Sequence, residues 1–322
     1  MTIFPLANVE SYFRSLSGNV ERHGDTLRWP SHDGITEFSF ERIDQATPDG
    51  GVVSELVILR HSSPFLYNLS SDLASKLNRW GTLSALVQGE VGRFQLAARI
   101  GIFSEDRDAA ERLYAPLICQ EAGVIGWHAA MLASGEFQSD PSRSPLSMTD
   151  QAPPTVDAEF EAIKSESDRR GLFGSLGKRY FAVEFPWEVG AVSNLFRHDD
   201  EWESLQRSGI SEEYRKRAGG KTSLLQIRVA THPIYGNGVQ CTLEIPSPAN
   251  DEVSERLSHA LNGWELSRAD LPPLMGAWCP GPRALAFGTF VPTQFWVPGL
   301  LQNLFGWGSS RHSSVRELLA GN

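Results

Sequence analysis

An internal duplication is the feature that most constrains how this chain can fold. Residues 57–80 fall on residues 241–264 without a gap, a displacement of 184 positions. Six of the 17 positions in residues 64–80 are identical in both segments, and the pattern Leu-Asn-x-Trp closes each of them. Solenoid repeats are about 20–50 residues long, so a repeat at this distance indicates duplication of a whole domain.

Both copies predict the same order of elements. Apolar side chains at every fourth residue predict one helix per copy, formed around Leu69, Leu73 and Leu77, then Val253, Leu257 and Leu261. Asn250 is a typical N-cap residue for the second of these helices. Downstream the displacement becomes 187, which places Gly101 on Gly288 and Phe103 on Phe290. The resulting order of strand, helix, strand, strand, helix favours antiparallel sheets in an α+β fold.

The expected domain organisation follows from composition. Residues 137–157 contain four prolines and many serines, which is typical of an extended linker. We therefore expect a first lobe over residues 1–136 and a second, duplicated lobe over residues 158–322. Each lobe is expected to be an antiparallel sheet with flanking helices, and the two to be related by a pseudo-two-fold. The charged stretch 198–220 predicts a solvent-exposed helix that ends at Gly219-Gly220.

Charge and cysteine usage exclude several classes of protein. The 322-residue chain carries a net charge of -10, which argues against sequence-independent nucleic-acid binding, since that needs clustered cations. Three widely spaced cysteines indicate a reducing compartment rather than a disulfide framework. The N-terminus has no secretory signal pattern, and no apolar run is long enough to span a membrane. A cytoplasmic protein is therefore expected.

Recognisable catalytic motifs are missing from the sequence. Gly219-Gly220-Lys221-Thr222 resembles part of a phosphate loop, but Arg215 occupies the position of the required upstream glycine. The eight histidines form no HxH or HxxxH pair, so no metal site and no cofactor is predicted. An enzyme or ligand-binding site remains the alternative, with His232, Tyr235 and the acidic run 198–201 as the first residues to test.

Aromatic side chains provide the candidate partner-binding residues. Six of the nine tryptophans lie at or after residue 187, and tryptophan is favoured at protein interfaces. The segment around Trp296 contains two prolines, which is typical of a surface loop. The predicted partner-binding set, with the His and Tyr that flank a nearby turn, is Trp296, Phe295, Trp307, Trp278, His232 and Tyr235.

The motif Leu77-Asn78-Arg79-Trp80, repeated as Leu261-Asn262-Gly263-Trp264, resembles bacterial YbjN-like and type III secretion chaperone-like domains. The likeness covers about 60 residues of each half and lacks a second asparagine often seen in the YbjN-like helix. It implies an antiparallel sheet with flanking helices, no catalytic residues, and binding to other proteins. A tandem of two such units looks like a fused dimer.

Taken together, these features predict a non-enzymatic chaperone-like or adaptor protein of the bacterial cytoplasm. It would hold a partner polypeptide, a basic one given the chain's acidity, at a sheet edge or in an apolar groove. The expected state is a monomer that mimics a dimer, or a homodimer. Two alternatives stay open, namely an enzyme or small-ligand-binding protein with a site at the lobe interface, and a structural subunit of a larger assembly.

Overall fold

A computed structural model describes the chain at residues 10, 14, 20–31, 34–46, 52–62, 66–79, 83–89, 92–103, 202–207, 211–218, 220–232, 236–247, 250–268, 274–281, 284–292 and 300–320. The predicted linker, residues 137–157, lies outside these ranges. The predicted limits of the two lobes, at residues 136 and 158, lie outside them too and stay predictions.

The first sheet is built from six strands. They are β1 Glu21–His23, β2 Thr26–Ser31, β3 Gly34–Ala46, β4 Val52–Ser62, β5 Ala85–Gln88 and β6 Phe94–Phe103. Their order across the sheet is β1-β2-β3-β4-β6-β5, and every neighbouring pair is antiparallel. A 3-10 turn, Leu66–Asn68, and helix α1, Ser71–Asn78, connect β4 to β5. Apolar and polar residues alternate over residues 35–43, a pattern that predicts a strand, and these residues lie within β3.

The second sheet also has six strands. They are β7 Glu203–Arg207, β8 Ser211–Ala218, β9 Lys221–His232, β10 Gly236–Pro246, β11 Ala277–Gly281 and β12 Ala284–Pro292. Helix α2, Asp251–Ser267, precedes β11, and helix α3, Leu300–Ala320, follows β12. Asn250 caps α2 as predicted, because its Oδ1 accepts a hydrogen bond of 2.9 Å from the backbone N–H of Val253.

Both sheets share one strand order. The second runs β7-β8-β9-β10-β12-β11, which is the order of the first when each is counted from its own first strand. Strand β10 lies 184 positions after β4 at both of its ends, as the gapless alignment requires. The predicted α+β class with antiparallel sheets is therefore confirmed.

A row of buried side chains crosses each sheet from strand to neighbouring strand. Directly opposed residues form these rows, which are Leu27, Phe38, Leu59 and Ala98 in the first sheet and Tyr214, Leu225, Leu243 and Phe287 in the second. Successive strand residues point to opposite faces, so each row marks the face that the sheet buries most completely. These rows form the centre of each sheet's core.

Strand pairing corrects the predicted alignment after the repeated helix. Leu59 pairs with Ala98, and its counterpart Leu243 pairs with Phe287, which gives a displacement of 189 rather than 187. Gly101 therefore corresponds to Phe290 and not to Gly288. A shift of two residues leaves every side chain on its original face, so apolar alternation cannot detect the error.

The predicted helix over residues 198–220 is wrong wherever this segment is described. Strands β7 and β8 lie there instead, and Glu212 and Tyr214 are buried two residues apart while Glu213 and Arg215 between and after them are not. This spacing is the period of a strand, and the high density of charge concealed it. Gly220 closes the β8–β9 hairpin with a φ of +74°, a backbone conformation that favours glycine.

Contacts divide the chain into two compact units. The first contains Met1–Pro141 together with Glu255–Trp278, and the second contains Ser142–Ser254 together with Cys279–Asn322. Most of α2 therefore belongs to the unit that contains the first sheet. In the same unit the backbone N–H of Arg99 on β6 donates a 3.0 Å hydrogen bond to the carbonyl of Leu274.

Candidate functional site

The asparagine shared by the two Leu-Asn-x-Trp motifs binds the backbone of a terminal strand. Asn78 accepts a 2.7 Å hydrogen bond from the N–H of Leu86 on β5 and donates one of 3.2 Å to its carbonyl. Asn262 does the same to Trp278 on β11, at 2.7 and 3.0 Å. Because β5 and β11 are terminal strands, these side chains occupy backbone groups that would otherwise face an open edge.

The opposite terminal strand of the second sheet, β7, is held firmly at its start. Trp202, immediately before it, is buried, and its indole N–H donates a 3.2 Å hydrogen bond to Ser309 on α3. The ring of His312 meets the Trp202 ring edge-on at 5.3 Å between centroids, and the Lys216 ammonium lies 5.8 Å from its centroid. These contacts position the first residue of β7 against α3 and β8.

A two-pronged ion pair joins β7 to β8. The guanidinium of Arg215 donates hydrogen bonds of 2.7 and 2.6 Å to the two carboxylate oxygens of Glu203. The hydrogen bond from Arg215 lowers the pKa of Glu203, and the same bond raises the pKa of the Arg215 guanidinium. The pair is solvent-exposed, so its value lies in orienting β7 more than in stabilising the fold.

Beyond this ion pair β7 carries an exposed apolar side chain. The pairing of β7 with β8 shifts between Ser204 and Gln206, so Leu205 has no residue opposite it. Such a bulge changes the direction of a side chain at a sheet edge. Leu205 is 41% exposed, and β7 has no strand on its other side among the described residues. The candidate site is therefore the outer edge of β7, formed by Glu203, Ser204 and Leu205.

Three buried hydroxyl–imidazole pairs were missed by the sequence analysis. Their hydroxyl oxygens and ring nitrogens lie 2.9 to 3.0 Å apart, and they join Thr36 to His61, Ser75 to His259, and Ser223 to His312. A serine or threonine beside a histidine resembles an activated nucleophile. All six side chains are buried, however, so a substrate could not reach these hydroxyl groups in this conformation.

Trp278 is placed differently from its prediction. This side chain is fully buried, and its indole N–H donates a 2.7 Å hydrogen bond to Glu265. Its backbone is engaged by Asn262, as described above. Trp278 is therefore a core residue in this conformation, and a partner could not reach its ring without a rearrangement. A tryptophan count cannot separate the two cases, because both environments favour a large ring with one polar atom.

The remaining predicted partner-binding residues are not brought together by the described part of the chain. Trp307 lies partly exposed on α3. His232 is the last residue of β9, and its side chain lies outside the description. Phe295, Trp296 and Tyr235 fall in undescribed segments, as does the acidic run 198–201.

The two described cysteines are free thiols in the protein interior. Burial raises the pKa of Cys241 to about 12, and the nearby Arg311 guanidinium opposes this only in part. The thiol of Cys279 donates to the carbonyl of Ala286 at 3.4 Å. A thiol with so high a pKa is almost entirely protonated at neutral pH, and is therefore a poor nucleophile.

No group of three or more potential metal ligands occurs within the described ranges. In the same ranges, no helix is both long enough and apolar enough to cross a membrane.

Comparison with known proteins found no matching family model, no matching curated protein and no matching solved structure. The resemblance to YbjN-like and secretion chaperone-like domains therefore stays a prediction.

Proposed function

We propose that this protein binds a partner polypeptide by strand addition at the outer edge of β7, as an adaptor or chaperone-like protein would. The observation that carries the proposal is the combination of an exposed Leu205 with a terminal strand fixed by Trp202 and Arg215. In strand addition, main-chain hydrogen bonds provide affinity and outward side chains provide selectivity. A rigid strand loses little conformational freedom when the partner pairs with it.

The other sheet edges offer less to an incoming strand. Asn78 and Asn262 already occupy backbone groups of β5 and β11. Strand β1 is three residues long, and its side chains are exposed and mostly charged. Short, charged edge strands discourage pairing. Among the terminal strands, β7 alone carries a large exposed apolar side chain in the described ranges.

The chemistry of the partner follows from charge. A net charge of -10 favours encounter with a basic polypeptide and repels nucleic acid.

The proposal keeps a second contact region, formed by the remaining predicted partner-binding residues Trp307, Trp296, Phe295, His232 and Tyr235. The proposal also includes pseudo-two-fold related lobes with flanking helices in a reducing, cytoplasmic setting. The shared strand order and the buried free thiols support it.

Selection of peptides from a displayed library of random 12-residue sequences would test this function on the full chain. Peptides that survive washing would be synthesised, and their dissociation constants measured by fluorescence anisotropy. Replacing Leu205→Asp removes an apolar anchor and places a charge at the edge. Since burying a leucine contributes about 1.5–3 kcal/mol and Leu205 is partly covered already, we expect at least about fivefold weaker binding.

Leu318→Asp is the matched control, because Leu318 lies on α3 and is 39% exposed, close to the 41% of Leu205. The proposal requires enriched peptides to be basic and to bind the control variant as tightly as the unchanged protein. It would be rejected if no peptide were enriched, or if both variants weakened binding equally.

A further inference from the structure

Helices α1 and α2 occupy equivalent places in the duplicated sequence and also contact each other. The displacement of 184 positions puts Ser75 of α1 on His259 of α2. These two side chains form a 2.9 Å hydrogen bond, and both are buried in the first compact unit. A residue therefore meets its own counterpart from the other copy.

Such a meeting has a specific geometric meaning. In an interface with two-fold symmetry, residue i contacts residue j while j contacts i, and a residue meets its own equivalent only beside the axis. We propose that α1 and α2 form a homotypic interface with a local two-fold axis passing between Ser75 and His259. The surface of α1 then fits one partner, the equivalent helix of a second copy of the repeat, which this chain supplies itself.

Neighbouring residues agree with this axis. Ala74 and Ser258 are equivalents one residue before the pair, and both are completely buried and small. One turn later, Asn78 and Asn262 are equivalents, and each binds a terminal strand through its side-chain amide. In α1, residue 75 therefore contacts the other helix and residue 78 contacts a strand. In α2, residues 259 and 262 do the same.

If Ser75 and His259 are exchanged, the histidine must keep the hydrogen bonds that it makes at its present position. His259 Nε2 lies 3.0 Å from the backbone carbonyl of Ser71, which can only accept, so this nitrogen carries the proton. The counterpart of Ser71 is Glu255, whose backbone carbonyl accepts a 2.8 Å hydrogen bond from Ser258 Oγ and would have to accept a second one from a side chain. If the axis exists, a histidine at position 75 can donate to that carbonyl in the same way.

Exchanging the two residues in the full chain tests the inference. We expect Ser75→His and His259→Ser, made singly, each to lower the thermal midpoint by about 2–6 °C, because the first crowds two rings into the space of one and the second leaves a cavity. The double exchange should return the midpoint to within about 2 °C of the unchanged protein. Thermal unfolding followed by far-ultraviolet circular dichroism measures the midpoint of all three variants.

Ser223 and His312 provide the matched control. They have the same residue types, a 3.0 Å separation and similar burial, but they lie on β9 and α3, which are not equivalent elements. Their double exchange should be no more stable than the weaker of its single variants. Equal recovery in both exchanges would overturn the inference, since recovery would then depend on residue type and not on symmetry.

The tautomer of the histidine gives a second, independent measurement. Nitrogen-15 spectra of the imidazole should show a proton on Nε2 in the unchanged protein and also in the double exchange. If either single variant fails to fold, the double exchange alone decides. A folded double variant with this tautomer supports the axis, and one that does not fold, or carries the proton on Nδ1, overturns it.

Discussion

Removing the amide of Asn262 should destabilise the protein far more than loss of an ordinary surface amide. The side chain is completely buried and makes two hydrogen bonds to the backbone of Trp278, at 2.7 and 3.0 Å. Asn262→Ala leaves one N–H donor and one carbonyl acceptor without their partner. Leaving a buried polar group unsatisfied costs about 1–3 kcal/mol, so the expected loss is about 2–6 kcal/mol.

Urea denaturation followed by far-ultraviolet circular dichroism measures this loss without depending on the fluorescence of Trp278. Asn250→Ala is the control, because Asn250 makes a single exposed capping bond and its loss should cost about 1 kcal/mol. Asn262→Asp adds a finer test, since it keeps the acceptor and turns the donor into a second oxygen facing a carbonyl. That variant should regain stability in acid, where the introduced carboxyl group becomes protonated and donates again.

The reasoning would be refuted if Asn262→Ala cost no more than Asn250→Ala. In that case the terminal strand would be held by its neighbour β12 alone, and the asparagine would be replaceable. Asn78→Ala gives the corresponding test on β5, with an expected loss of similar size because its two bonds are 2.7 and 3.2 Å long.

Three further predictions concern titration and packing. Although Glu244 is largely exposed, partial burial of its carboxyl group and the nearby Glu213 carboxylate raise its pKa above the ordinary value, so ionisation of Glu244 costs the folded state more than the unfolded one. Glu244→Gln should therefore raise the thermal midpoint slightly at pH 7.5 and change it little at pH 4. An unchanged difference between the two pH values would contradict this. Gly238→Ala should cost about 1–3 kcal/mol in urea denaturation, because its methyl group would lie 2.4 Å from the backbone oxygen of Val291. Gly263→Ala, inside α2 with only an ordinary 3.9 Å contact, should instead stabilise by about 0.5–1 kcal/mol, and a loss there would refute the packing argument.

The elements that sequence reasoning found correctly are those whose pattern is strong and local. The alternation of Phe38 with its neighbours predicted β3, and Asn250 marked the start of α2. Sequence reasoning failed at β8, where charged residues fill the half-exposed face of the strand. Only the burial of Glu212 and Tyr214 reveals the two-residue period of a strand there. Charge density indicates contact with water, but helices and strands can both provide it.

The candidate site was less accessible to sequence reasoning than the fold. Trp278 was expected to meet a partner because tryptophan is common at interfaces, yet Glu265 and Asn262 hold it in the core. The sequence does not mark Leu205 as exposed, because its position depends on a bulge in the pairing of β7 with β8. The gapless alignment makes Ser75 and His259 equivalents, but only the tertiary structure brings the two side chains into contact.

By itself, the sequence determined that one apolar pattern occurs twice, that strands and helices mix around each occurrence, and that α2 begins beside Asn250. These properties depend on residues a few positions apart, whose spacing sets which face of a helix or strand is apolar. Tertiary structure alone decided the displacement of 189 between Ala98 and Phe287, the strand order, and which unit contains Glu255–Trp278. Those properties depend on pairing between distant segments, and shifts of two residues leave the local pattern unchanged.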